Sequence, residues 1–246
     1  MPADGPDPQG PDWEATYLEV RRRERRLYLD DIVATLPVVP RTDPHHAEWR
    51  IRADSARRLV GYLAGQPELC VVELGCGNGW LSNQIAAIPG SRVVGLDRNE
   101  LELDQAKRVF GSRSNLAFVA GTFTDRFAEI DRPTTIVLAS VIQYIDDLPA
   151  LLRALLSAVT PGGEIHILDS PLYQRADVAA AVARSRNYYG TLGVPRMAAL
   201  YHHHAWDELE PFAPRLLYDP RSPIRRLERR LRWPRSPFPW LRIASA

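Results

Sequence analysis

The residues best suited to chemistry lie at 70–80, Cys70-Val71-Val72-Glu73-Leu74-Gly75-Cys76-Gly77-Asn78-Gly79-Trp80. Glycines at alternate positions follow an apolar run, and an apolar-periodic stretch from Leu81 to Ile88 follows them. The pattern predicts a buried strand, a tight turn and a helix. Glycine has no Cβ, so it reaches positive φ and lets a ligand approach the backbone. The helix start offers free N–H groups and the positive end of its dipole. In open α/β sheets, ligands bind at such turns, at the carboxyl ends of strands.

Residue types narrow the ligand. The dinucleotide fingerprint is G-x-G-x-x-G. Trp80 stands at its third glycine, where an indole obstructs close helix–strand packing. Glu73, two residues before Gly75, repels a pyrophosphate and attracts an ammonium. A second apolar run, Arg92-Val93-Val94-Gly95-Leu96-Asp97, also ends in an acid. At this point of nucleoside-binding sheets an acid accepts hydrogen bonds from ribose hydroxyls, and a carboxylate is acceptor-only. Asp97 is assigned to a ribose. The alternative is capping the helix of Asn99 to Phe110, a role Asn99 can also fill.

The 70–80 stretch resembles the first motif of the class I S-adenosylmethionine-dependent methyltransferases, whose cofactor carries an ammonium on its amino-acid tail. Thr160-Pro161-Gly162-Gly163 is similar to the turn before their fifth strand. The resemblance covers residues 45–170. It implies an α/β fold, a doubly wound, seven-stranded, mostly parallel sheet with N-terminal helices and a helical lid. It implies S-adenosylmethionine as cofactor, held by Glu73, Gly75, Cys76, Gly77 and Asn78 after the first strand and by Asp97 and Arg98 after the second. Gly121, Thr122 and Phe123 would follow from the third strand and Ser140 from the fourth. Two positions depart from the family. Thr122 stands where an acid often binds adenine N6, although a hydroxyl can still accept and Phe123 can face the ring. Gln143-Tyr144 stands where many small-molecule members carry two histidines. The implied activity is methylation of a small molecule at O, N or C. A protein or nucleic-acid methyltransferase is the alternative, but no Asn/Asp-Pro-Pro-aromatic box follows the fourth strand. A non-catalytic relative acting as an interaction module is the other.

The rest of the chain must position these groups. It has 246 residues and a net charge of +1, which specifies no charged partner, and nucleic acid is not expected. Residues 1–12, rich in Pro, Gly and Asp, read as a disordered tail without a secretory pattern. The two cysteines, Cys70 and Cys76, share one strand and turn, which fits thiols in the cytoplasm. No apolar run approaches the roughly 18 residues of a membrane span.

Residues 13–66 read as N-terminal helices, one from Asp12 to Leu36 and one from Pro44 to Leu63. Family members often cover the cofactor with such helices, which would put Arg50 or Arg52 at the methionine carboxylate. Surface charge is the other reading. The core runs from 67 to 246, with strands at 70–74, 92–97, 116–121, 134–140, 164–169, 214–218 and 238–243. Residues 171–210 form the expected lid.

Adjacent His202-His203-His204 lack the spacing of a helical metal site, so no metal is expected. One histidine in the pocket, His202 or His203, is assigned as a base beside Tyr144. The fallback for the acceptor is the wall around Tyr17, Tyr28 and Trp49. His166 reads as a packed or edge residue. Finally, 221–235 reads as a basic amphipathic helix bearing Ile224, Leu227 and Leu231. Packing on the domain is preferred, and weak contact with an anionic membrane is the alternative.

Overall fold

The structure is a computed structural model and describes residues 11–122, 130, 132–231 and 235–245. Phe123 therefore lies outside the described residues. Helix α1 spans Pro11–Arg23 and α2 spans Asp30–Val33, so the single helix expected to Leu36 is two. Arg25 sits at φ 58° and the Arg26 N–H donates to the Arg21 carbonyl at 2.8 Å, which closes the end of α1. Helix α3, His46–Leu63, buries Trp49, Ala56, Leu59 and Leu63 along one face.

The sheet then builds in order: β1 (Cys70–Leu74), α4 (Trp80–Ala86), β2 (Arg92–Asp97), α5 (Glu100–Phe110), β3 (Leu116–Ala120) and β4 (Thr135–Ala139). After β4 come α6 (Leu148–Ala158), β5 (Glu164–Leu168), α7 (Val178–Thr191), β6 (Arg215–Tyr218), α8 (Pro223–Arg230) and β7 (Trp240–Ala244). The seven strands lie in the order β3-β2-β1-β4-β5-β7-β6, and only β7 runs antiparallel to its neighbours. This is the doubly wound sheet expected from the resemblance. The order reverses between β1 and β4, which opens a crevice at their carboxyl ends.

Strand alternation divides the core. Val71 and Val137 pack with Leu59, Leu63, Leu81 and Ile85 on the α3–α4 face. Val72, Ile136 and Leu138 pack with Leu148, Leu152 and Leu155 of α6 on the other. A third cluster joins α1 to the long connection after β5, with Trp13 and Val20 against Tyr189, Val194, Met197 and Leu200.

Helix α8 corrects an expectation. Ile224, Leu227 and Leu231 are 69%, 57% and 59% exposed and do not pack on the domain. The inward contacts are polar instead. Arg225 lies over the Tyr218 ring at 5.4 Å and pairs with Glu228 at 2.8 Å. Arg235 joins Glu228 to the buried Asp54 of α3.

Gly79, the last residue before α4, sits at φ 76°. A Cβ there would lie 2.5 Å from the Phe118 ring and 2.9 Å from Ala106. Gly79→Ala should destabilise the fold by at least about 1–2 kcal/mol, the left-handed penalty alone, with the ring contact adding to it. A urea unfolding midpoint that does not fall would contradict this packing.

Candidate active site

The glycine turn lies at the switch point, and its backbone is fixed by Asp97. One Asp97 oxygen accepts the Gly77 N–H at 2.7 Å and the other accepts the Asn99 N–H at 2.8 Å. Asn99 in turn caps α5 through the Glu102 N–H at 2.9 Å. Gly75 has room for no side chain, because a Cβ would stand 2.3 Å from Val141. The first turn of α4 therefore follows the loop directly, with Trp80 edge-on to Trp49 at 5.4 Å.

A cavity of about 240 Å³ opens above this loop. Its floor includes Glu73, Gly75, Cys76, Gly77, Asn78 and Ser140 from the expected cofactor set. Asp97 lies just behind it, holding the loop. Arg98 turns up to lie over the Trp13 ring at 4.5 Å. Gly121, at φ 137°, donates its N–H to the Asp97 carbonyl at 2.9 Å, and Thr122 follows it at the end of β3. Of the two α3 arginines expected at the methionine carboxylate, Arg52 lines the cavity and Arg50 is exposed.

Helix α1 roofs the cavity. Trp13 stacks on Tyr17 at 5.1 Å, and Tyr144 stands edge-on to both, at 5.9 and 5.6 Å. Tyr201, from the connection after β5, meets Tyr144 edge-on at 6.0 Å. The Tyr17 hydroxyl donates to Glu102 at 3.2 Å and Arg21 lies 3.6 Å from the same carboxylate. Arg26 and Arg52 share Glu48. Tyr28 and Trp49 complete that wall.

The three histidines lie outside this lining. His204 is buried and structural, paired with Glu208 at 2.9 Å and reaching the Ile142 and Ile145 carbonyls at 2.9 and 3.0 Å. His203 bonds Ser185 at 2.8 Å and packs on Tyr201 at 5.1 Å. His202 lies 3.4 Å from Asp146, and its backbone N–H donates to the Gln143 carbonyl at 2.7 Å. Burial holds both His202 and His203 below the usual imidazole range. His166 is fully buried between Trp240 and Glu164, at 3.1 and 3.2 Å.

Lining residues outside the sequence-level assignment include Arg21, Glu102 and Asp169. Asp169 follows β5 as Asp97 ends β2, and that end-of-strand acid was the available signal. Its backbone and that of Ser140 are both left-handed, at φ 51° and 56°, and the Ser140 hydroxyl donates to the Asp169 carbonyl at 2.8 Å. Ser55 and Ser236 donate to one Asp169 oxygen, at 2.7 and 2.9 Å. Nothing in the sequence marked Glu102, in the first turn of α5, or Arg21, whose position depends on where α1 lands.

The carboxylates test the expected cofactor. Glu73 is 3% exposed and accepts a hydrogen bond from Ser82. Burial pushes its pKa up to about 8, and the charged neighbour acting on it is Asp97, another acid. Burial, then Glu102, raises Asp97 to about 6. A buried Glu73 and a half-buried Asp97, with no cation paired to Glu73 among the described residues, over a glycine cradle, fit a ligand bearing an ammonium and hydroxyls. They do not fit a pyrophosphate.

Residues 71–163 match the family described as a methyltransferase domain. Among curated proteins, the trans-aconitate 2-methyltransferase of Deinococcus radiodurans is 28% identical over 152 residues, covering 61% of this chain and 57% of that protein. The demethylmenaquinone methyltransferase of Chlorobaculum tepidum is 26% identical over 129 residues, covering 52% and 51%. The chain thus spans about half the length of these relatives. A solved plantazolicin methyltransferase, BpumL, in complex with a pentazolic desmethylPZN analog and SAH, superposes with a TM-score of 0.56 at 13% identity, covering 96% of this chain and 98% of that one. At that identity the likeness is one of fold. The matched residues 71–163 run from β1 to the turn before β5, within a sheet of doubly wound, Rossmann-like order.

The raised Glu73 pKa has a consequence for stability. A carboxyl raised from 4.5 to about 8 on folding binds its proton more tightly in the folded chain. Its contribution is full below the unfolded value and is lost as pH climbs to about 8. Between pH 6 and 7, above the Asp97 value of about 6, the slope from this group approaches about 1.4 kcal/mol per pH unit. Urea titrations across that range should show the loss, and Glu73→Gln should flatten it. Equal slopes in the two proteins would contradict the burial of this acid.

Proposed function

We propose that the chain transfers a methyl group from S-adenosylmethionine to a small-molecule acceptor. The observation that carries the reading is the pair of carboxylates, buried Glu73 and half-buried Asp97, at a glycine loop with no cation against Glu73 among the described residues. When bound, the cofactor supplies an electrophilic methyl on a sulfonium. Glu73 would receive the ammonium, and Asp97 would accept from the ribose hydroxyls with the lone pairs its two backbone contacts leave. Cys76, Asn78 and Ser140 would line the same path, and Gly121 and Thr122 would stand at the adenine end with Arg98 above. Arg52 is the lining arginine placed for the carboxylate.

The protein's own contribution is proximity and a dry pocket. Trp13, Tyr17, Tyr144 and Tyr201 exclude water, and Tyr144 forms the acceptor wall. A hydroxyl or amine acceptor also needs a proton sink. Asp169 lines the cavity at the end of β5. His202 and His203 lie outside the lining, with His203 against Tyr201, so in this reading they take a proton from the wall or hold it in place. The two curated relatives are named for small acceptors, and a cavity roofed by α1 suits a small acceptor. Residues 171–210 act as lid together with α1.

Helix α8 is assigned to weak contact with an anionic bilayer through Ile224, Leu227 and Leu231, flanked by exposed Arg221 and Arg230. No helix of the described residues is long and apolar enough to cross a membrane. Cys70 and Cys76 are thiols, in keeping with a reducing, cytoplasmic setting.

Calorimetry tests the cofactor. S-adenosylhomocysteine should bind and NAD should not, and Asp97→Ala should weaken S-adenosylhomocysteine by about ten- to a hundredfold, the loss of a hydrogen bond to a charged group. NAD binding without a response to S-adenosylhomocysteine would overturn the reading. The α8 assignment is tested by sedimentation at low salt. The protein should pellet with anionic vesicles and Leu227→Asp should stay in the supernatant, whereas a wild-type protein left in the supernatant would refute that contact.

A further inference from the structure

Gln143 follows β4 at the switch point, between Ser140 and Tyr144, and all three line the cavity. Its side chain is 8% exposed, and its amide is held through the nitrogen, which faces the Ser140 carbonyl and the Tyr144 hydroxyl. The Nε2 group donates to the Ser140 carbonyl at 2.7 Å, which sets the orientation, since a reversed amide would bring two oxygens together. The main chain is fixed as well, because the Gln143 carbonyl accepts the His202 N–H at 2.7 Å. That leaves Oε1, a buried oxygen with no hydrogen-bond partner among the described residues. Buried amide oxygens are nearly always paired, and leaving one unpaired is unfavourable. Ser140 is left-handed, so the residue that anchors the amide is itself held in a strained backbone state.

We infer that Gln143 Oε1 receives a hydrogen bond from the reacting group of the acceptor. This inference rests on the methyl-transfer reading and deepens it. The recognised group must be a donor, so the acceptor presents a hydroxyl or an amine, and the chemistry is O- or N-methylation. Carbon centres without a donor are not held. Gln143 is a positioning residue: it orients the nucleophile and takes no proton.

The probe is sinefungin, an analogue with an amine-bearing carbon in place of the methylsulfonium, compared with S-adenosylhomocysteine, which lacks any group there. The wild-type protein should bind both. Gln143→Leu should weaken sinefungin by about ten- to a hundredfold, the loss expected for a hydrogen bond to a charged group, and leave S-adenosylhomocysteine within about twofold. Gln143→Glu places a carboxylate against the amine and should tighten sinefungin relative to S-adenosylhomocysteine. Thermal unfolding shows whether Gln143→Leu folds, and if it does not, the ratio is read on Gln143→Glu. An unchanged ratio of the two affinities, with S-adenosylhomocysteine still bound, overturns the role of Gln143 and leaves the methyl-transfer reading standing. A wild-type protein that binds neither ligand overturns that reading, and the inference with it.

Discussion

The site depends on one carboxylate. Asp97 accepts a backbone N–H from the loop after β1 and another from the start of α5. It thereby locks two consecutive βα turns into one rigid surface. The Gly77 amide cannot turn away, Asn99 is kept in place to cap α5, and Glu102 is delivered to the edge of the loop. Charge is concentrated in the process, since Asp97, Glu73 and Glu102 gather around one glycine turn. Arg21, carried on α1, is the cation that pairs with Glu102 among the described residues. The floor is therefore electrostatically incomplete without the roof, and Glu73 stays incomplete even with it.

The roof is assembled from distant parts of the chain. Trp13 and Tyr17 come from α1, Tyr144 from the turn after β4, and Tyr201 from the connection after β5. Their ring contacts are edge-to-face or stacked at 5.1–6.0 Å, an arrangement that gives aromatic pairs stabilisation beyond area burial. The same rings join the third apolar cluster, so closing the cavity and packing the insertion are one event.

The floor was legible in the sequence because each of its parts is local. The run Val71 to Leu74, the glycines and Trp80 form one continuous stretch, and the division of Ile136 and Leu138 from Val137 between the two cores follows directly from strand geometry. The roof was not legible for the opposite reason. Nothing near Arg21 states that it will meet Glu102, and Arg25 entering the left-handed region divides a stretch whose composition reads as a single helix. The histidines illustrate a different limit. Their residue type suggests a base, but His204 is used to hold the Ile142 and Ile145 carbonyls, and that use depends on the insertion folding back over β4. At α8 the apolar spacing was correct and its direction was not, because Arg225 and Glu228 satisfy the inner face.

The placement of β7 bears on the order of assembly. It is last in sequence, yet it lies between β5 and β6, and among the described residues β6 has no other strand beside it. Its register pairs Glu164 with Ala244 and Ile165 with Ile243, across a long intervening segment. Closing a loop of that length is entropically slow. During synthesis the parallel half, β3 to β5, can form while β6 waits for its neighbour. The insertion between β5 and β6 therefore remains untethered at one end until β7 docks. In kinetic terms the chain has an early half that carries the glycine loop and a late half that closes over it.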